Sequence, residues 1–449
     1  MKYRYEIYSQ LNKNKNKNRL RLHMPGHKND AEFRKLFPVS PIDITELPYS
    51  DDLNCPDGVI KAAQNDIAEI VGAKRAYITT DGSSSGIFAM MFVASRFGNK
   101  IIVPRNSHKS VFNACRFFNL EPVIVQGREF NGVLLPPDPQ LIERLIVNDV
   151  NIAGMIVASP DYYGTAAPLE EYAIILKSRN KLLLCDGAHG AHLALDESRS
   201  HYCGVYADMW VDGAHKTLPV LTQGAYVCVN NEWLIPLAEE AMSMVRTTSP
   251  SYPIMASVEY GVKYYANNPG RYAAAKAAVK NFREGMEGFT FYPSTDWTKL
   301  AIDFEPLGIS PDLVEKKLQR KGIYAEMNDG RYLLFYLSPA VTANQLNQLK
   351  RALIFITSRR KLKNTYTPRP PIVISERTYS YLYALRSRAE WVPLERSVGR
   401  MCAQNVGITP PCFPVIVAGE IISPRAVEAL LKAPKTFGLT DGNIKVVFK

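Results

Sequence analysis

Between residues 62 and 223 the chain repeats one pattern. A short apolar run without polar alternation gives way to a polar turn, and then to a longer segment with apolar residues at helical spacing. "RAYITT" (75–80) is followed by "SGIFAMMFVASRF" (85–97), "KIIVP" (100–104) by "SVFNACRFF" (110–118), and "EPVIV" (121–125) continues the series. "IAGMIVASP" (152–160) precedes "LEEYAIILKSR" (169–179), and "KLLLCDGAHG" (181–190), "ADMWVDGAHK" (207–216) and "GAYVCV" (224–229) complete it. Short strands with no polar face are what a parallel sheet buried on both sides requires. Their alternation with helices predicts an α/β domain with helices packed on both faces.

The pattern changes near Phe289. "KLAIDFEP", "SPDLVEKKLQRK", "GIYAEMN", "RYLLFYLS" and "TANQLNQLKRALIFI" read as β-α-β-β-α, a small two-layer α+β unit. The first ten or so residues read as a short helix, and a Pro-rich stretch from Thr367, "TPRPPIVIS", separates a last segment. The expected division is an N-terminal helix and basic linker (1–30), a large α/β domain (31–288), a small α+β domain (289–360) and a C-terminal domain (361–449). No internal repeat is evident.

At 449 residues two or three domains are expected, and 46% hydrophobic with 22% charged residues is ordinary for a globular protein. The net charge of +11 comes from scattered basic residues, with one dense cluster, "NKNKNKNRLR" at 12–21. It lacks interleaved aromatics, and no zinc-finger spacing or recognition-helix pattern follows, so a solvated linker is favoured over a nucleic-acid contact. Seven cysteines at wide spacings without a CxxC fit free thiols in a reducing compartment. The N-terminus lacks a signal-peptide core, and the apolar windows are too short to span a bilayer. A cytoplasmic protein is expected, without membrane association.

The polar residues of interest follow the predicted strands, where ligands bind in open α/β sheets. "TTDGSSSG" (79–86) puts Ser83, Ser84 and Ser85 at a helix start, suited to a phosphate, although a serine-rich helix cap would read the same. The GK[ST] ending of a P-loop is absent. "PRNSHKS" (104–110) offers His108 to stack on an aromatic ring, or a cap built on Asn106 or Ser107. Asp186 ends an apolar strand, and a buried carboxylate there needs a cationic or hydrogen-bonding partner. His189 and His192 at spacing three evoke a metal, but no third ligand accompanies them, so no metal is expected. Lys216, brought out of a strand behind His215, has the setting of a lysine desolvated to attack a carbonyl, or of a structural residue. Together these pieces are what pyridoxal phosphate needs: a phosphate site, a stacking residue, an acid for the ring nitrogen and an imine-forming lysine.

At this point the chain resembles the bacterial-type ornithine/lysine/arginine decarboxylases, in the short form without an N-terminal wing domain. The resemblance rests on "HMPGHK" (23–28), "DITELPYSDDLNCPDG" (43–58), "DGSSSG", "RNSHKS", "SPDYYG" (159–164), "DGAHGAH" and "AHKTLPVLTQGA" (214–225), in family order. "TPPCFPVIVAGE" (409–420) matches the family's terminal motif more loosely.

The resemblance implies a large domain of the fold type I, pyridoxal-phosphate transferase-like class. It implies Lys216 as the cofactor-binding lysine, Asp186 on the ring nitrogen, and His108 stacked on the ring. Ser84, Ser85 and Ser83, with help from His215, would hold the phosphate, and His189 would sit near the substrate. It further implies a homodimer or larger assembly and decarboxylation of a basic L-amino acid, whose distal charge needs an acid; Glu46, Asp51, Asp52 and Glu420 are the candidates. Another reaction of the same cofactor, as in an aminotransferase or a lyase, is the alternative, and a non-catalytic cofactor- or RNA-binding protein is a further one. The chain departs from the family pattern at Gly213 and Ala214, where a serine that helps hold the phosphate is usual nearby. It departs again at Cys412 and Ala418, where Gly and Pro are usual.

Overall fold

The computed structural model describes residues 2–15, 17, 20–358, 365–367, 379–409, 413–433 and 435–448. All seven apolar runs form strands of one sheet: β1 (Arg75–Thr79), β2 (Lys100–Pro104), β3 (Glu121–Val125), β4 (Ile152–Ala158), β5 (Leu182–Gly187), β6 (Met209–Asp212) and β7 (Ala225–Val229). The spatial order is β1-β7-β6-β5-β4-β2-β3. From β6 across to β3 the neighbours are parallel, whereas β7 runs antiparallel to both β6 and β1.

Successive residues feed opposite faces, as the pleat demands. Ile78, Ile102, Leu183, Cys185 and Trp210 enter one core, together with Ile60 and Ile67 of the Val59–Val71 helix. Tyr77, Ile101, Leu184 and Val211 enter the other, beneath the Gly82–Ala94 helix. Gly86 lets that helix lie close on the sheet, because a Cβ there would come within 2.5 Å of Val211 Cγ2. Two-sided burial is why these strands carry no polar alternation.

The N-terminal helix runs Glu6–Asn14, later than the reading of the first ten residues, and it extends into the Lys/Asn tract. Its Ile7 and Leu11 are fully or nearly fully buried, and the fully buried Glu259 accepts the Tyr8 amide (3.1 Å) at its start. Residues 16, 18 and 19 of the tract lie outside the described residues.

The small unit holds β8 (Thr290–Phe291), β9 (Lys299–Asp303), β10 (Met327–Asn328) and β11 (Tyr332–Tyr336), in the antiparallel order β8-β9-β11-β10. The helices Pro311–Gln319 and Ala343–Thr357 pack on it, the latter opened by a Thr342–Gln345 capping box. Leu300, Ile302, Leu333 and Phe335 form its core with Val279 and Phe282 from the Pro269–Glu284 helix.

Beyond Thr367, residues 368–378 lie outside the described residues; the chain is described again from Tyr379. Buried Tyr381 inserts into the large unit's core, where its hydroxyl donates to the Phe112 carbonyl at 2.9 Å. Among the described residues no helix is long and apolar enough to cross a membrane.

Candidate active site

A cavity of about 510 Å³ opens at the carboxyl ends of the parallel strands, where the small unit meets the large one. Ser83, His108, Asp186, His189, His215 and Lys216 all line it. That volume is in the range of small-molecule sites.

Each of these side chains is placed by a strand end. Gly82 adopts φ +73°, a left-handed turn that starts the Gly82–Ala94 helix beneath the cavity. Ser83 faces the cavity, Ser84 is exposed, and Ser85 is buried with its hydroxyl donating to the Gly82 carbonyl (2.8 Å) and meeting Thr79 Oγ1 (2.9 Å). Ser84 and Ser85 therefore do not reach this cavity in the single chain.

His108 is itself the N-cap of the Lys109–Phe117 helix, in place of Asn106 or Ser107. Its Nδ1 accepts from the Ser110 amide (3.3 Å) and meets Ser110 Oγ at 2.7 Å. Burial lowers its pKa; Asp186 opposes this and Lys216 adds to it.

Asp186 is 6% exposed, and among the described residues its hydrogen-bond donor is the Ala188 amide at 3.1 Å. One strand over, Asp212 is fully buried and accepts from Tyr202 Oη (2.7 Å) and Trp210 Nε1 (3.0 Å). Burial pushes its carboxyl up to about 7 despite those donors.

Lys216 sits in the one-turn Ala214–Thr217 helix, its Nζ 3.2 Å from His189 Nε2. Among the described residues, the buried His189 Nδ1 has no hydrogen-bond partner. Burial, reinforced by Lys216 and Lys299, holds the His189 pKa well below the usual range. His215 donates from Nδ1 to the Gly224 carbonyl (3.0 Å), which leaves Nε2 as the acceptor; burial lowers its pKa as well. The departure at Gly213 has a steric reason: a Cβ there would meet the Ala188 carbonyl oxygen at 2.5 Å, so only glycine lets the two strand-end turns touch. Ala214 and Ala418 are both fully buried, and Cys412 lies outside the described residues.

The four acids expected for the substrate do not line the cavity. Asp51 is spent on backbone amides, accepting from Asp52 (2.8 Å), Gly58 (2.9 Å) and Ile60 (2.8 Å). Asp52 accepts the Asn54 amide at 2.8 Å, and Glu46 accepts from the neighbouring Thr45 hydroxyl. Glu420 is fully buried in a two-pronged ion pair with Arg105, which ties the C-terminal segment to the turn carrying His108.

Other polar residues line it instead. Glu326 of the small unit lines the cavity, and its Oε1 accepts from Tyr162 Oη at 2.7 Å. Tyr336 and Tyr162 both make T-shaped contacts with His189, with centroids 5.3 and 5.2 Å away. Asp161 is buried, accepts the Tyr163 (2.9 Å) and Thr165 (2.8 Å) amides, and burial pushes it up to about 6. Asp161 and Tyr162 belong to "SPDYYG", which follows β4 as Ala188 and His189 follow β5, so the strand-end rule was available to find them. Glu326 lies between the Pro311–Gln319 helix and β10, with no such signal.

The set fits a ring-bearing anionic cofactor. A buried carboxylate with one backbone donor faces a cavity across which stands a lysine beside a neutral histidine, and a helix start lies below.

Residues 6–290 match the profile of the Orn/Lys/Arg decarboxylase major domain. Arginine decarboxylase of Halalkalibacterium halodurans is 31% identical over 89% of this chain and 87% of its own length. Arginine decarboxylase of Bacillus subtilis is 28% identical over 95% and 93%. Among solved structures, the Francisella novicida lysine decarboxylase superposes with a TM-score of 0.82 at 18% identity, covering 99% of this chain and 81% of that one.

Proposed function

The chain belongs to the Orn/Lys/Arg decarboxylase family and is a decarboxylase of a basic L-amino acid; from that premise we propose arginine as the substrate and pyridoxal 5'-phosphate as the cofactor, held by Lys216, Asp186, His108, Ser83 and His215. The observation that carries this reading is the convergence of Lys216, Asp186 and His108 on one cavity with Glu326 on the opposite unit. Arginine is favoured by the names of the relatives that match nearly end to end.

When bound, the cofactor supplies the electron sink that accepts the charge left by departing carbon dioxide. Asp186 would hold a proton on the ring nitrogen, a cationic partner for a carboxylate whose hydrogen-bond donor among the described residues is the Ala188 amide. His108, its Nδ1 fixed by Ser110, presents its ring as a stacking wall. The helix start at Gly82–Ser83 offers amides and a hydroxyl to the phosphate. Glu326, oriented by Tyr162, binds the substrate's distal cation and so fixes which end of the substrate reaches Lys216. Lys216 Nζ, with His189 Nε2 at 3.2 Å, returns the proton to the α-carbon. Tyr162 and Tyr336 exclude water from that side.

The working form in this reading is a cytosolic homodimer. Supporting it, the family-matched 43–58 segment stands off its own chain's cavity, and no disulfide joins the six described cysteines to one another. Light scattering that gives a monomer at micromolar concentration would refute the dimer.

The test of the reaction is carbon dioxide release from arginine, lysine and ornithine by purified protein with added pyridoxal phosphate, with Lys216→Ala as control. Release from arginine with formation of the corresponding amine is expected. A keto acid in place of the amine would make the chain an aminotransferase instead.

A further inference from the structure

Behind the aromatic side of the cavity lies a set of buried charges that the cofactor and substrate assignments leave unused. The Lys299 and Asp296 side chains are 0% and 1% exposed, with Nζ 3.1 Å from Oδ2. Asp296 also accepts from the Thr298 amide (2.8 Å), the Thr298 hydroxyl (2.8 Å) and His192 Nε2 (2.8 Å). Lys299 Nζ stands 4.4 Å from the centre of the Tyr336 ring, its direct partner across the β9–β11 ladder. Tyr336 donates its hydroxyl to the Tyr162 carbonyl (2.9 Å) and lays its ring against His189. The turn after β5 thus has one histidine, His189, in the cavity and a second, His192, bound to the buried acid.

Removing an ammonium and a carboxylate from water costs more than apolar packing would, so a buried pair of this kind is poorly explained by stability alone. We propose that the Asp296–Lys299 pair is a positioning element of the catalytic cavity, acting on His189 through Tyr336 on one side and His192 on the other. This rests on the reading of His189 and Lys216 as the proton-handling pair.

The electrostatics agree with the geometry. His189 is faced by Lys216 from its short helix, His108 and Asp186 from the ends of β2 and β5, and Tyr162 from the turn after β4. From the small unit it is faced by Tyr336, Lys299 and Asp296, with Glu326 held on Tyr162. Burial does most to keep the imidazole neutral, Lys216 and Lys299 reinforce it, and Asp296 opposes with less weight. Neutral His189 keeps a lone pair on Nε2 to accept a hydrogen bond from the Lys216 ammonium.

The experiment is a pH titration of ring-labelled histidines by NMR on the full chain with pyridoxal phosphate added, the His189 signal being assigned by its loss in His189→Gln. In the wild type the signal should stay in the neutral form to below pH 6. Lys299→Met should raise its midpoint by about one pH unit, and the acidic limb of kcat should move up with it. Lys299→Arg should restore the wild-type curve. An unmoved midpoint in folded Lys299→Met overturns the proposal. Should circular dichroism show that this variant does not fold, Asp296→Asn/Lys299→Met removes both charges. A smaller rise is then expected, and none overturns it. The NMR signal is read whether or not carbon dioxide is released, so an inactive wild type refutes the decarboxylase reading and leaves this one to its own result.

Discussion

Asp186, His108 and Lys216 reach the cavity from the C-terminal ends of parallel strands, whereas Glu326 and Tyr336 reach it from the small unit, with Lys299 buried behind Tyr336 in its antiparallel sheet. On the first side, position is a consequence of fold: every parallel strand delivers its C-terminal turn to the same edge. On the second, position depends on register, since Lys299 meets Tyr336 only because the β9–β11 ladder pairs them. A one-residue slip there would turn every side chain to the other face. In the proposed reading, the strand-end side holds the cofactor, and the register side meets the substrate's charge and sets the surroundings of His189.

Substitutions on the strand-end side should therefore remove chemistry, and the largest effect is expected at Lys216. Lys216→Ala should abolish carbon dioxide release together with any cofactor absorbance band that needs the lysine, as measured by spectrophotometry alongside the release assay. Asp186→Asn should follow, lowering kcat by about 10²–10³-fold, as for other lost charge-stabilising groups, with KM changing far less. Comparable kcat losses from Glu326→Gln would erase the division between the two sides. The expectation there is a rise in KM for arginine of about tenfold, since a charge-assisted hydrogen bond to the substrate would be lost, with kcat changing only a few-fold.

The same division sets what could be read from the chain. All seven strands of the large sheet were legible, because burial on both faces leaves apolar runs with no other reading. The direction of β7 was not read, although only about a dozen residues separate β6 from β7, close to the minimum for a parallel crossover. Lys216, Asp186, His108, His189 and His215 were legible as residues following strands, and the structure gathers them at one cavity. The acid that faces this cavity from the small unit, Glu326, was not. Asp51 and Glu420 look as available as Glu326 in the sequence, yet one is consumed by backbone amides and the other by Arg105. What satisfies a carboxylate is settled by donors far away in the chain, and no local spacing records that.

Two buried aspartates carry the smallest predicted effect and the finest test of the comparison. Asp161 on the strand-end side is surrounded by backbone amides, and burial pushes it up from 3.8 to about 6. Asp296 on the register side is equally buried, but His192 and Lys299 outweigh burial and hold it below its ordinary value. A raised carboxyl contributes stability below its unfolded pKa and loses that contribution as pH rises through about 6. Asn at position 161 keeps an oxygen for both amides and has no ionisation to undergo. Asp161→Asn should therefore gain on the wild type between pH 5 and pH 8, by about 1.4 kcal/mol for the single pKa unit lying between 5 and 6. That is a difference of about one to three degrees in thermal midpoint. The depressed histidines titrate in both proteins and cancel in this difference. Asp296→Asn should behave oppositely. Its deficit should stay nearly constant from pH 5 to 8, where Asp296 is ionised both folded and unfolded. It should shrink only as pH falls below the unfolded value near 3.8, where the stability due to a depressed carboxyl disappears. Thermal melts of the three proteins across pH 3 to 8 check both slopes, and parallel curves would show that the cations of the small unit do not distinguish the two acids.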